Sequence, residues 1–175
     1  MIGAASVAAA TVSARAADKP APAVASPPAA QTLGSDGAWT AYVSEDRSGK
    51  VCYLVGQPAK SLPASPHRQA SAMVTHRPQE NIANVVSFVE GVPLKNGSDV
   101  TLMIGKKDFK LFTKNDAAWA ATPDLDKEIV TTLAKARDVV ARGIPQRGPA
   151  TSDTYSLAGF AKALALIDKA CGVKR

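Results

Sequence analysis

Apolar residues alternate with small or polar ones in short segments, and turn-forming residues separate these segments along the chain. Trp39–Val43 and Lys50–Val55 flank a polar turn, which predicts a β-hairpin. Val100–Ile104 and Phe109–Phe112 flank the turn Gly105–Asp108 and predict a second hairpin. Further strands are predicted at Ala70–Thr75, Val85–Val89 and Asp138–Ala141. Most of the predicted structure is therefore short antiparallel strands.

Two segments instead have the three-to-four-residue apolar spacing of amphipathic helices. Thr122 and Pro123 predict a helix start, because threonine caps the first backbone N–H groups and proline fits the first turn. The apolar positions of this helix are Leu125, Ile129, Leu133 and Ala136. Ser156 is the predicted N-cap of a last helix, whose apolar stripe is Leu157, Phe160, Ala161, Leu164, Ile167 and Cys171. The predicted fold class is α+β, a mainly antiparallel β-sheet or sandwich with two helices packed against it.

Composition limits the size and class of the protein. The 175 residues suffice for one ordinary domain, and 46% of them are hydrophobic, which is enough for a packed core. Aromatic residues make up only 5%, so a base-stacking surface, and with it nucleic-acid binding, is not expected. The sequence has no run of 18 apolar residues, and we therefore predict no membrane span.

The amino-terminal segment predicts export. Residues 1–16 contain an apolar, Ala-rich run that ends in Ala14-Arg15-Ala16, which is typical of a signal peptide with cleavage after Ala16. No basic residue precedes the apolar run, so a disordered Ala-rich tail is the alternative. Residues 17–36 are rich in Ala and Pro and are predicted to be a disordered linker. Residues 37–175 then form a single domain, and we expect the protein to be periplasmic or secreted.

The two cysteines predict a disulfide. Cys52 lies in the middle of a predicted strand, and Cys171 lies on the buried stripe of the last helix. In an oxidising compartment these residues are expected to bond and to join the last helix to an early strand. Two buried free thiols are the alternative. The only histidines are His67 and His76, neither of them at a zinc-ligand spacing, so no metal site is predicted.

Two polar groups are candidate interaction sites. Lys106, Lys107, Lys110 and Lys114, which we call the lysine group, surround the second hairpin turn. They are candidates for binding an anionic surface, although lysines at a strand edge more commonly prevent aggregation. Arg77, Glu80 and Asn81 lie between two predicted strands. We interpret them as a structural corner in which Arg77 and Glu80 hydrogen-bond backbone groups, with a recognition loop as the alternative.

Several short motifs together resemble a known family. They include Lys50-Val-Cys-Tyr53, Arg77-Pro-x-Glu-Asn81, Leu111-Phe-Thr113, Asp116-x-Ala-Trp119 and Thr151-x-Asp-Thr-Tyr-Ser-Leu157, with a closing Ala170-Cys171. In this order they resemble the invasion-associated locus B family from about Trp39 to Cys171. The resemblance implies an exported protein of the bacterial envelope, and both family cysteines match Cys52 and Cys171. It implies no catalytic residues and no cofactor.

The leading functional hypothesis is a non-enzymatic envelope protein with an interaction or stress-related role. Its partner would be an envelope or host-surface component. One alternative is a binding protein for a small envelope ligand, which predicts a dry pocket between the sheet and the helices. The other is a hydrolase-like enzyme, which requires a cleft that gathers His76, Arg77, Glu80 or Asp153. The sequence contains no Gly-x-Ser-x-Gly nucleophile motif that would support such an enzyme.

Overall fold

The computed structural model describes residues 29–175, so the predicted signal peptide and most of the predicted linker lie outside the described residues. Eleven strands and two α-helices follow one another in this range. The strands are β1 Gln31–Asp36, β2 Trp39–Asp46, β3 Gly49–Gly56, β4 Lys60–Leu62, β5 Ser71–Arg77, β6 Ile82–Val89, β7 Asp99–Ile104, β8 Lys107–Lys114, β9 Ala117–Trp119, β10 Asp138–Gly143 and β11 Thr151–Ser156. The helices are α1 Pro123–Leu133 and α2 Phe160–Cys171, and a single 3-10 turn covers Pro78–Glu80.

All eleven strands belong to one antiparallel sheet in the order β1-β2-β3-β5-β6-β9-β8-β7-β10-β11-β4. Both predicted hairpins form, as β2-β3 and as β7-β8, and each of the three other predicted strands is present. The α+β prediction of a mainly antiparallel sheet with two packed helices is therefore confirmed.

The sheet curls so that strands far apart in its order meet inside the protein. Phe88 on β6 packs edge to face on Tyr155 on β11, with ring centroids 5.4 Å apart, although these strands are not neighbours in the sheet. Similarly, the indole Nε1 of Trp39 on β2 donates a hydrogen bond of 2.8 Å to the carbonyl oxygen of Ser156 at the end of β11. The inward-facing side chains of both halves thus form a single hydrophobic core.

Helix α1 covers the start of β6. Thr122 caps the helix by accepting a hydrogen bond from the Leu125 N–H, as predicted, and Ile129 and Leu133 are buried against the sheet. The Asp126 carboxylate accepts the backbone N–H of Val86 on β6 at 2.8 Å. The helix side chain therefore satisfies a strand N–H at a point where β9 does not extend along β6.

Helix α2 packs on β1, β2 and β3 and is bonded to the sheet. Phe160 stacks edge to face on Trp39 with a centroid distance of 4.9 Å, and Ile167 is completely buried. At the carboxyl end of the helix, Cys171 forms the predicted disulfide with Cys52 on β3. Both helices are thus held on the sheet, one by packing and a side-chain cap and the other also by a covalent bond.

The last helix begins three residues later than predicted. Ser156 ends strand β11, and its hydroxyl accepts a local hydrogen bond from the Ala158 N–H instead of capping a helix. The helix follows Gly159, which has φ +88° and no side-chain cap. A Cβ at Gly159 would lie 2.1 Å from the Asp36 carbonyl oxygen, so this tight crossing of two chain segments requires glycine and delays the helix.

The predicted disordered linker was wrong over its last residues. Gln31–Asp36 forms β1, the edge strand that pairs with β2 and packs under α2. Gly34 lies close to α2, because a Cβ there would be 2.9 Å from the end of the Leu166 side chain. The predicted signal-peptide cleavage after Ala16 and the predicted domain boundaries remain predictions.

Three other strands have no clear apolar pattern and were not predicted: β4, β9 and β11. β11 is instructive, because its inward-facing residues are Thr151, Asp153 and Tyr155. Thr151 and Asp153 are satisfied by hydrogen bonds to Glu90 and Arg68, while the Tyr155 ring packs on Phe88.

Candidate functional site

The outer face of β8 carries the most distinctive surface chemistry of the described chain. Along this strand Phe109 and Leu111 point into the core, while Lys110, Phe112 and Lys114 are exposed on the opposite side. This alternation follows from the two-residue repeat of a β-strand. One cationic and aromatic surface therefore lies on the solvent side of the sheet.

An aromatic pair forms the centre of this surface. Phe112 lies opposite Trp119 on β9, and the rings are 5.9 Å apart at a tilt of 31°. The Phe112 side chain is 48% exposed, which is unusual for a phenylalanine, and Trp119 is partly exposed. The two rings thus present a partly open apolar platform to solvent.

Basic and acidic residues lie near the aromatic pair, and the residue directly opposite Phe112 on β7 is Asp99. Lys110 lies opposite Thr101 on β7, and Thr101 lies opposite Arg142 on β10, so Lys110 and Arg142 point to the same side about 10 Å apart. Two carboxylates share this side: Asp99, whose Oδ2 is 3.9 Å from the Lys110 Nζ, and Asp108. We call Lys110, Phe112, Lys114, Trp119 and Arg142 the outer face.

The structure separates the four residues of the lysine group. Lys110 and Lys114 share the outer face, and Lys106 lies in the turn between β7 and β8. Lys107 points elsewhere, because its Nζ donates a hydrogen bond of 2.8 Å to Glu128 on α1. Any surface that these lysines form is therefore centred on Lys110 and Lys114.

Arg77 pairs with acidic side chains rather than with backbone groups. Its guanidinium donates to Asp46 Oδ2 at 2.6 Å and to Glu80 Oε1 at 3.3 Å, so the expected backbone partners were wrong. Arg77 also holds the pKa of Asp46 below its usual range, mainly through that hydrogen bond. Asn81 closes the corner in a left-handed conformation, and its N–H donates to the Pro78 carbonyl. The corner lies at the surface and pairs exposed charges.

His76 is buried in a hydrogen-bonded cluster below the disulfide. It faces a bulge in β6 where Asn84 has φ +66°, and this geometry brings the Asn84 N–H to within 2.9 Å of His76 Nδ1. Because Nδ1 accepts this hydrogen bond, the ring proton is on Nε2, which donates to Asp168 Oδ1 at 2.9 Å. Burial lowers the pKa of His76, and the bond to Asp168 partly offsets that effect. The ring is thus neutral and oriented, with no access to solvent.

Arg175 completes the cluster around His76. Its Nε and a second guanidinium nitrogen donate to Asp168 at 2.5 and 2.8 Å, and it also donates to the Asn84 side chain at 2.8 Å. Asp168 thus accepts hydrogen bonds from both His76 and Arg175. These interactions hold the end of α2 beside the disulfide.

A second buried cluster lies under β11. The guanidinium of Arg68 forms a two-pronged ion pair with Asp153 and also donates to the backbone carbonyl of Glu90 at 2.8 Å. The Thr151 hydroxyl donates to Glu90 Oε2 at 2.6 Å. Burial raises the pKa of Glu90 to about 7, because a charged carboxylate is poorly solvated there. Asp153 is therefore an ion-pair partner in the core.

The unpartnered buried side-chain atoms of residues 29–175 are all in this second cluster. They are Arg68 Nε, Glu90 Oε1 and the Tyr155 hydroxyl. Burial also raises the pKa of Tyr155 well above its usual range. Arg68 and Glu90 were not predicted; their only signal in the sequence was an acidic residue that directly follows the apolar strand ending at Val89.

The structure distributes the residues of the hydrolase alternative over different places. His76 belongs to one buried cluster, Asp153 to the other, and Glu80 to the exposed corner. Four surface grooves of residues 29–175 have volumes between about 280 and 620 Å³, and none has these residues in its walls. Within the same range, no three His, Cys, Asp or Glu side chains group closely enough to hold a metal ion.

Comparison with known proteins decides the family. The family model described as Invasion associated locus B (IalB) protein matches residues 39–168. The chain belongs to the IalB family. Its fold is similar to the crystal structure of invasion associated protein B from Bartonella henselae, with a TM-score of 0.56 and 14% sequence identity. That similarity covers 80% of this chain and 97% of the other, and a search of curated proteins finds no match.

The IalB match defines which features belong to the family region. It contains Cys52 and the whole outer face, and it ends at Asp168, three residues before Cys171. Strand β1 lies before it. No helix within residues 29–175 of this IalB protein has the length and apolar character to cross a membrane.

Proposed function

We propose that this IalB protein is an exported, non-enzymatic interaction protein of the periplasm or the cell exterior. Its partner is an anionic polysaccharide of the envelope or of a host surface, which it binds through the outer face. The observation that carries the proposal is the Phe112 ring, half exposed beside Trp119 and flanked by Lys110 and Lys114. Contact between an aromatic ring and water is unfavourable in free energy, and a partner that covered the ring would remove that contact.

The chemistry of the outer face fits a charged sugar chain. The flat C–H side of a pyranose ring packs on aromatic rings, and the Phe112–Trp119 pair offers such a surface. Lys110, Lys114 and Arg142 place positive charges around it, at distances that can reach carboxylate or sulfate groups of neighbouring sugars. A strand face is also rigid, which lowers the entropy lost on binding.

The position of the titratable groups supports a binding role over catalysis. Two of the candidate acid-base groups, His76 and Asp153, are completely buried and hydrogen-bonded within the core, and the exposed Glu80 is paired with Arg77. Catalysis requires such groups within reach of a substrate. The hydrogen bonds of His76 and Asp153 instead hold strands and α2 in place.

The experiment is chromatography of the mature protein on immobilised heparin, a sulfated polysaccharide, with a salt gradient. The test variant carries Lys106→Gln, Lys110→Gln and Lys114→Gln. The matched control carries Lys127→Gln, Lys135→Gln and Lys174→Gln, which removes the same charge from exposed positions on another surface. We expect the test variant to elute at clearly lower salt than the control, because it has lost ion pairs with the polyanion. Salt screens such exposed pairs, so less salt is needed to release a protein that makes fewer of them.

A third variant, Phe112→Ala, separates stacking from charge. It leaves the net charge unchanged, and the proposal predicts that it elutes at lower salt than the parent. Equal elution of the two triple variants would show that only net charge matters and would overturn the proposal. Equal elution of Phe112→Ala and the parent would remove the aromatic pair from the site.

A further inference from the structure

A groove of about 370 Å³ lies between the two helices, on a different surface from the outer face. Its walls come from Val130 and Ala134 on α1, Leu164 on α2, and Lys174 and Arg175 beyond α2. The volume is within the range of small-molecule sites in proteins. The groove is independent of the interaction surface proposed above.

The floor of the groove is apolar. Val130 and Leu164 are almost completely buried and Ala134 is partly exposed, so their aliphatic side chains line the space between the helices. The aliphatic stems of lysines at the groove edge extend this apolar lining. An occupant of the floor would therefore have to be a hydrocarbon group.

The rim of the groove is cationic. Lys127, Lys135 and Lys174 line it and are exposed, and none of them makes a salt bridge to any residue between 29 and 175. Arg175 is already paired with Asp168. Three positive charges around the apolar floor are thus left without a protein anion, and they complement a negatively charged head group.

The acidic residues near the groove do not neutralise these lysines. Asp168 is bound by Arg175 and His76, and Asp126 is buried under α1, where it accepts the Val86 N–H. Glu128 pairs with Lys107. Asp124 lines the neighbouring groove along α1 together with Lys127 and Lys135, and it makes no salt bridge to either lysine. The charge complementarity of the groove is therefore toward an anion from outside the chain.

From the apolar floor and the unpaired cationic rim we infer a binding site for a medium-chain fatty acid, with the acyl chain between α1 and α2 and the carboxylate at the lysine rim. The groove extends along α1 from residue 127 to residue 135. Eight residues of helix span about 12 Å, which accommodates most of a medium-length acyl chain. The carboxylate then contacts the cationic rim, and the acyl chain contacts the apolar floor.

The test is calorimetric titration of the mature, disulfide-bonded protein with laurate below its aggregation concentration. Acetate, which has the head group without the chain, and dodecyl maltoside, which has the chain without the charge, serve as comparison ligands. We expect laurate to bind, and both comparison ligands to bind at least tenfold more weakly, because each fills only part of the site.

Three variants locate the site. Ala134→Phe places a ring in the groove and is expected to abolish laurate binding, while the melting temperature reports that the fold is intact. The variant with Lys127→Gln, Lys135→Gln and Lys174→Gln should lose about tenfold in affinity, the combined effect of several weak exposed charge contacts. The matched control with Lys106→Gln, Lys110→Gln and Lys114→Gln should bind laurate like the parent.

Two results would overturn the inference. Unchanged laurate binding by a folded Ala134→Phe variant would place the chain elsewhere. Equal losses in the two triple variants would show non-specific charge attraction. Laurate binding without heparin retention would contradict the proposed function and leave this inference standing. Heparin retention without laurate binding would do the opposite. The two claims can be separated in this way because each experiment uses the other's test variant as its control.

Discussion

His76 on β5 and Asp168 on α2 form a buried hydrogen bond of 2.9 Å beside the disulfide of the same helix. The ring nitrogen that faces away from Asp168 accepts the Asn84 N–H, so both nitrogens have partners and only one tautomer fits. Three residues further on, Cys171 bonds to Cys52, which lies opposite His76 in the sheet. One region of the sheet thus holds α2 by a polar contact and a covalent bond.

We predict that His76 titrates below pH 6.5 in the folded protein. Burial opposes the charged ring and lowers the pKa, and a proton on Nδ1 would break the bond from Asn84. A lowered histidine pKa adds stability above pH 6.5 that is lost as pH falls. Nitrogen-15 NMR of the imidazole should show the Nε2–H tautomer.

The variant Asp168→Asn tests the cause of this shift. Asp168 raises the pKa of His76 through its hydrogen bond and its charge. Its replacement should therefore lower the pKa further. A pKa above 6.5 in the parent, or an increase in the variant, would contradict the assigned tautomer and partners.

Glu90→Gln should change the pH dependence of stability. The pKa of Glu90 is raised from 4.5 to about 7, so the folded state binds a proton more tightly than the unfolded chain does. Its contribution to stability is fully present below pH 4.5 and is lost as pH rises through 7. Glutamine does not titrate, so the variant should gain about 1 to 3 kcal/mol relative to the parent between pH 5 and pH 8.

Asp126→Asn is the matched control for Glu90→Gln. The pKa of Asp126 is raised to about 6, also by burial, so its effect should be largely complete at pH 6. Urea unfolding of the parent and both variants at pH 5, 6 and 8 measures the difference. A Glu90→Gln difference that does not change with pH would show that the carboxyl keeps an ordinary pKa.

Removal of the disulfide should strongly destabilise the fold. The bond closes a loop across a sequence separation of 119, and on the chain-entropy model this constraint is worth at most about 5 kcal/mol. Cys52→Ala with Cys171→Ala should unfold at much lower urea than the parent. The untreated parent, once unfolded, should contain no alkylatable thiol, and the detection of two would refute the bond.

Arg77→Ala should have a small effect. The Arg77 ion pairs with Asp46 and Glu80 are at the surface, and exposed pairs of this kind contribute less than about 1 kcal/mol. We expect its urea midpoint to remain close to that of the parent. Its heparin elution should change less than that of the variant with Lys106, Lys110 and Lys114 replaced by Gln. A loss of several kcal/mol would mean that the corner has a larger structural role.

The apolar pattern predicted those elements whose buried residues are themselves apolar. Trp39, Leu54 and Leu102 mark strands in this way, and Thr122 with Pro123 marks α1. The pattern fails at β11, where the inward residues Asp153 and Thr151 are buried because Arg68 and Glu90 hydrogen-bond them from distant parts of the chain. Such partners are set by tertiary structure and leave no local signal.

The candidate sites were predictable to different degrees. The parity of β8 placed Lys110 and Lys114 together from the sequence alone. The Phe112–Trp119 contact required the pairing of β8 with β9, a three-residue strand without an apolar pattern. The interhelical groove depends on the position of α2. This helix starts at Phe160 because the chain crosses close to Asp36 at Gly159, and not because Ser156 caps it.

The bond between Cys52 and Cys171 links the interhelical groove to the redox state of the compartment that holds the protein. α2 supplies Leu164 to the groove, and the same helix is bonded to β3. In a reducing cytosol the two cysteines remain thiols, and α2 is then held by non-covalent contacts alone. If the protein is exported as we propose, a newly made chain lacks this bond until it reaches an oxidising compartment. The inferred interhelical site would then gain its covalent support only in the compartment in which the chain finishes folding.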